Sequence, residues 1–161
     1  MVLVGRQALV KVLFVCTGNI CRSPTAEGVM RAPVAQRGLS DTIMADSAGT
    51  HGAHEGEPPD RRSRRTALAH GIEIGDQRAR QIRGSDFDEF DLILALDLGH
   101  LDHLKRLCPP ARRDRLALLM SFAGEEIGVP DPYYGIHGFE DVFAMVERGV
   151  IGLLDHLEAR R

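Results

Sequence analysis

The clearest pattern along the chain is the apolar, β-branched run Val10-Lys11-Val12-Leu13-Phe14-Val15, which stops at the polar stretch Cys16-Thr17-Gly18-Asn19-Ile20-Cys21-Arg22-Ser23. A short, nearly continuous run of this kind predicts a strand buried on both faces of a parallel sheet. Behind the polar stretch Ala26, Val29, Met30 and Val34 recur at helical spacing. Ser23 is the expected N-cap of that helix, Pro24 its first residue and Gly38 its stop, with Pro33 kinking or shortening it. Residues 42–48 and 90–96 predict two further strands. Between them lie a loop over 49–59 and a basic helix from an Asp60 cap to His70, ended by Gly71. A helix over about 98–107 is stopped by Cys108-Pro109-Pro110. Residues 115–122 offer a fourth strand, although their leucines also suit a helix. The closing segment carries Phe139, Val142, Phe143, Val146, Val150, Leu153, Leu154 and Leu157 on one face, a long amphipathic helix. Strands alternating with helices imply a single-domain, three-layer α/β fold: a four-stranded parallel sheet, helices on both faces, and ligands bound beyond the carboxyl ends of the strands.

Composition changes this picture little. The 161 residues suit one domain over 10–161, with residues 1–9 read as a flexible extension. A net charge of −3 excludes the global basic bias of a nucleic-acid binder. The local clusters Arg61-Arg62-Ser63-Arg64-Arg65 and Arg78, Arg80, Arg83 are either solvated faces or a positive rim for a phosphorylated substrate. Three cysteines without CxxC pairs give neither a disulfide framework nor a zinc site, and free thiols suit the cytoplasm. No signal peptide or membrane span is expected. The spacings of His51 with His54, and of His100 with His103, lack accompanying carboxylates or thiols, so no metal is expected.

The chemistry concentrates in residues 16–23. A loop closing onto a helix N-terminus turns several backbone N–H groups toward one point, where the helix dipole adds positive charge, and this favours an oxyanion. Gly18 and Asn19 tolerate the positive φ values such a wrap requires. Arg22 offers a planar fork for two phosphate oxygens. The same field favours the thiolate of Cys16, making it the candidate nucleophile. Neither a Walker loop nor a dinucleotide-binding glycine triplet is present. Expelling a leaving group needs an acid, and Asp131, held extended between Pro130 and Pro132, is the best candidate.

These motifs, together with Ala26-Glu27, Ser47-Ala48-Gly49-Thr50, Phe90-Asp91 leading to Asp97, and Asp131-Pro132-Tyr133-Tyr134-Gly135, resemble the low-molecular-weight protein tyrosine phosphatases from Lys11 to the last helix. The resemblance implies a metal-free, cofactor-free hydrolysis of phosphotyrosine through a cysteinyl phosphate on Cys16. Arg22 and the amides of Thr17, Gly18, Asn19, Ile20 and Cys21 would hold the phosphate, with Asp131 as acid and then base. It also implies a Ser23 hydrogen bond to the Cys16 sulfur, Asn19 and Ser47 supporting the loop, Tyr133 and Tyr134 as an aromatic wall, and Cys21 as a reversible disulfide partner of Cys16. The expected partners are a phosphotyrosine protein and inorganic phosphate, with no nucleic acid or membrane, for a monomer. Two departures stand out: Ala53 where many relatives carry an aromatic residue, and Gln77 where relatives often have a histidine partnered with the aspartate matching Asp97. Arsenate reduction needs relay cysteines, for which Cys108 is poorly placed. Protein arginine phosphatases share the loop but carry threonine at the position of Ile20, so Ile20 favours tyrosine. A non-catalytic phosphate-binding module would need neither Cys16 nor Asp131.

Overall fold

The structure is a computed structural model that describes residues 9–133 and 138–160. The expectations for residues 1–8 and for Tyr134 and Gly135 fall outside them. The apolar runs form β1 (Val10–Cys16), β2 (Ile43–Gly49), β3 (Leu92–Ala95) and β4 (Leu116–Leu118), all parallel and in the order β2-β1-β3-β4. The helices are α1 (Arg22–Gln36), α2 (Arg61–Ala69), the short α3 (Asp86–Glu89), α4 (Leu98–Leu107) and α5 (Phe139–Ala159).

Side chains of β1 alternate between two cores, as strand geometry requires. Val12, Phe14 and Cys16 pack with Met30 of α1, Ala67 of α2 and Val146 of α5. Leu13 and Val15 pack with Phe87, Phe90 and Leu104 on the other face. Each fully buried large side chain contributes about 1.5–3 kcal/mol against leaving it in water. The chain leaves β1 toward β2 and later returns to β3 on β1's other side. The ends of β1 and β3 therefore flank the point where the strand order reverses, the usual place for a ligand in such sheets.

Several local expectations change. α1 begins one residue earlier than Ser23, with Cys21 at the cap position, because the Ser23 hydroxyl is engaged elsewhere. Pro33 lies inside α1 without ending it; the stop comes at Gly38 (φ 69°), where the Leu39 amide reaches back to the Val34 carbonyl. Asp60 does cap α2, its carboxylate accepting from the Arg62 amide at 2.8 Å. The strand expected over 115–122 is only Leu116–Leu118. Leu119–Ala123 then turns into a 3-10 segment that buries Leu119 and Met120 against α5.

That last packing is close. A Cβ on Gly149 would sit 2.8 Å from Leu119 Cγ, and one on Gly152 would collide with the Phe122 carbonyl oxygen. Gly152→Val should therefore lower the unfolding free energy by about 1–3 kcal/mol through overpacking. Urea denaturation checks this; an unchanged midpoint would show that the helix and the 3-10 segment are not in contact as described.

Candidate active site

Cys16 closes β1 and Arg22 opens α1, so the polar stretch between them links a central strand directly to a helix N-terminus. Within this loop only Asn19 takes the left-handed backbone conformation (φ 57°), which asparagine tolerates. Gly18, for which positive φ was also expected, does not adopt it. Its need is steric, since a Cβ there would lie 2.9 Å from His54 Cδ2. Gly49 meets a similar limit, a Cβ falling 2.6 Å from the Thr17 carbonyl oxygen. Beyond it the Thr50 amide donates to the Cys16 carbonyl (2.8 Å) and the His51 amide to that of Thr17 (3.0 Å). The Ser-Ala-Gly-Thr motif thus fastens the end of β2 to the loop.

The loop is held from beneath by a buried polar chain. Asn19 Nδ2 donates to Ser23 Oγ (2.8 Å) and to Ser47 Oγ (3.0 Å), while its Oδ1 accepts from the Arg80 amide (3.0 Å). Ser23 Oγ, which accepts from Asn19, lies 2.9 Å from Cys16 Sγ and 3.4 Å from the Ala48 carbonyl, and its proton can point at either. The Ser47 hydroxyl donates in turn to Glu27 Oε1 at 2.9 Å. Glu27 is only 2% exposed. Burial pushes its carboxyl up to about 7, against the lowering effects of Arg31 and of the Ser47 hydroxyl.

Arg22, 3% exposed, is fixed on two sides. Its Nη1 donates to Asp97 Oδ2 and to the Val129 carbonyl, both at 2.9 Å, and its Nη2 lies 3.4 Å from Thr17 Oγ1 and 3.8 Å from Asp131 Oδ2. His100 Nε2 sits 2.8 Å from Thr17 Oγ1 and 3.5 Å from Arg22 Nη2, while its Nδ1 is 3.1 Å from Asp97 Oδ1 without the alignment of a hydrogen bond. Burial, then the Arg22 charge, lowers the imidazole to about 4, so the ring is neutral and Nε2 can accept from both neighbours. Burial opposes ionisation of Asp97. The His100 amide and the Arg22 guanidinium outweigh it and hold the carboxyl below the usual carboxylate range.

Asp131 meets the loop from the other end of the chain, its Oδ1 accepting from the Tyr133 amide at 2.9 Å. Cys16, Thr17, Gly18, Ile20, Cys21, Arg22, His51, Ala53, His54, Asp131 and Tyr133 share one cavity of about 190 Å³. The sequence-predicted loop residues, Asp131, Ala53 and Tyr133 are thereby brought together. Ser23, Asn19 and Ser47 lie beneath them, and Tyr134 lies outside the described residues. Burial, followed by the Asp60 charge, pushes the Cys21 thiol up to about 12.

The chain matches the family model for low molecular weight phosphotyrosine protein phosphatases over residues 11–161. The chain belongs to this family. It is 50% identical over 150 residues to the low molecular weight protein-tyrosine-phosphatase of Streptomyces coelicolor, covering 89% of this chain and 91% of that one. Its structure is similar to that of YfkJ from Bacillus subtilis (TM-score 0.92, 36% identity, 98% and 99% covered). It is also similar to the Entamoeba histolytica protein tyrosine phosphatase with Hepes in its active site (TM-score 0.88, 37% identity, 93% and 97% covered). As a low molecular weight phosphatase, it is a hydrolase with a phosphate-binding loop after the first strand.

Three features of this phosphatase's site escape a sequence reading. His100 is legible only as the residue three after a helix-capping aspartate, Val129 contributes a carbonyl, and Arg80 contributes its amide. Gln77, standing where relatives often have a histidine partnered with the aspartate matching Asp97, donates its Nε2 to the Pro24 carbonyl at 3.0 Å, and Asp97 serves Arg22. Of the basic clusters, Arg80 pairs with buried Asp86 and with Asp46, and Arg62 with Asp60, so these two are structural.

Glu27 gives the phosphatase a testable pH response. Its folded-state value of about 7 lies above that of an unfolded glutamate, so the native state holds a proton there that the unfolded state has lost. The associated stability is full below about pH 4.5 and disappears as pH rises toward 7. Urea denaturation of Glu27→Gln and wild type should show the variant gaining about 1–3 kcal/mol on wild type between pH 5 and pH 7.5. A difference that is flat or narrows with pH would contradict the assignment.

Proposed function

We propose that this phosphatase hydrolyses phosphotyrosine in protein substrates, and small aryl phosphates, through a phosphate ester of Cys16. The observation that carries this reading is the convergence of Cys16, the Arg22 fork and the Asp131 carboxyl on one cavity. A binding module would need only the first-turn amides and the arginine.

The Cys16 sulfur attacks phosphorus in line with the phenolic leaving group. The P–O bond breaks as Asp131 gives its proton to the departing oxygen. A water then attacks the phosphocysteine, Asp131 takes its proton, and the S–P bond breaks with the Ser23 hydroxyl donating to the leaving sulfur. Backbone amides of Thr17 through Arg22, at the N-terminus of α1, and Arg22 Nη2 hold the equatorial oxygens, whose charge grows in the transition state. No metal or cofactor enters the sequence of steps. Tyr133 supplies an apolar flank for the phenyl ring. At Ala53 the opposite flank lacks an aromatic ring, leaving His54 next to it. Cys21, buried on the same cavity, is the proposed reversible disulfide partner of Cys16. We also assign the enzyme to the cytoplasm as a monomer, residues 10–161 forming its catalytic domain. No helix among the described residues is long and apolar enough to cross a membrane.

Arsenate reduction is disfavoured because Cys108 packs with Phe87 and Phe90 in the second core and does not line the cavity. Ile20, which does line it, places an apolar contact where arginine phosphatases carry a hydroxyl.

Cys16→Ser should abolish turnover of aryl phosphates. Asp131→Ala should reduce kcat for phenyl phosphate by about 10²–10⁴-fold, with a much smaller loss for p-nitrophenyl phosphate, whose leaving group departs without a proton. Steady-state kinetics in the presence of a chelator measure both. Turnover by Cys16→Ser, or an equal loss on the two esters, would rule out the assigned roles.

A further inference from the structure

A second cavity, of about 450 Å³, lies beside the catalytic one, and His51 lines both. Its other polar lining includes Arg83 and His103, and its apolar lining includes Ile82, Phe87 and Leu107. Each of these three polar groups sits on a segment tied to the active site. The His51 amide is bonded to the Thr17 carbonyl. The Ile82 amide donates to the Gly49 carbonyl (2.8 Å), and the Arg83 amide to Asp86 Oδ2 (2.7 Å). His103 stands one turn beyond His100 on α4, its ring centroid 6.3 Å from that of His51.

The charge here is one-sided. No Asp or Glu lines the cavity, and the Arg83 guanidinium makes no hydrogen bond or ion pair with the described residues. This distinguishes Arg83 from Arg80 and Arg62, whose charges are spent on Asp86, Asp46 and Asp60. Burial, then the Arg106 charge and the neighbouring His51 ring, lowers the His103 imidazole.

We propose that this cavity is a specificity subsite that takes an acidic side chain flanking the phosphotyrosine of the substrate. Arg83 supplies the permanent charge and the planar fork for a carboxylate. The two imidazoles supply N–H donors, and Phe87, Ile82 and Leu107 receive the side chain's methylene groups. A peptide seated with its phosphate on the loop passes His51, so a residue next to or near the phosphotyrosine reaches Arg83 at about 3.3 Å of extended chain per residue. The proposal rests on the reading of the loop as a phosphotyrosine hydrolase, and its test separates the two.

The experiment compares two phosphotyrosine peptides that differ only in glutamates or glutamines flanking the phosphotyrosine, at one pH and ionic strength. With wild type, the glutamate peptide should have a kcat/KM about 3- to 10-fold higher, carried by KM. Arg83→Ala combined with His103→Gln should bring that ratio to about one while leaving the glutamine peptide and p-nitrophenyl phosphate unchanged. Arg148→Ala, which removes a positive charge on α5, should keep the ratio. A wild-type ratio near one, a ratio that survives the double substitution, or equal loss in Arg148→Ala would each overturn the subsite and leave the phosphatase reading intact. Failure to hydrolyse either peptide would overturn both.

Discussion

A guanidinium that is 3% exposed must be paired, and much of this site follows from how Arg22 is paired. One terminal nitrogen is committed to the fold, held by the Asp97 carboxylate that caps α4 and by the carbonyl of Val129. The other faces Thr17, His100 and Asp131. The division explains why three distant parts of the chain meet at one point. It also explains the neutral state of His100, since a second cation beside Arg22 would face both desolvation and repulsion. The orientation of the arginine is therefore set by the protein, and no part of that cost falls on substrate binding.

The opposite wall of the loop is built on the same principle with neutral groups. Asn19 spends both donors and its acceptor on Ser23, Ser47 and the Arg80 amide, which fixes its left-handed backbone and leaves the Ser23 proton able to point at sulfur. Partly satisfied buried networks are costly, and this one is closed at its far end by Glu27 and Arg31. The sheet contributes through Gly49, where the absence of a Cβ lets β2 lie against the loop. The same contact carries His51 to the boundary between the two cavities.

Much of this was legible in the sequence because it rests on short, local signals. The apolar run before Cys16, the glycine and asparagine of the loop, the Asp60 cap and the proline-flanked Asp131 each express a backbone requirement within a few residues. The errors arise where tertiary contacts override local preference. Ser23 reads as a cap, but its hydroxyl is drawn to the Cys16 sulfur. The leucines over 116–120 fit strand or helix equally well, and packing against the glycines of α5 decides between them. The partners of Arg22 were the least readable, because a carbonyl such as that of Val129 leaves no residue-type signature and His100 gains its meaning only from the fold.

If Arg22 works as a divided fork, its charge alone is not sufficient. Arg22→Lys retains the cation but offers a single nitrogen, which cannot serve Asp97 and Val129 and also reach an anion over the loop. Calorimetric titration of the folded variant with inorganic phosphate or orthovanadate is the most direct measurement. The account predicts a loss of affinity of about tenfold or more relative to wild type. An Arg22→Lys protein that binds these anions within about twofold of wild type would show that a positive charge is enough and that the division of the fork carries no function.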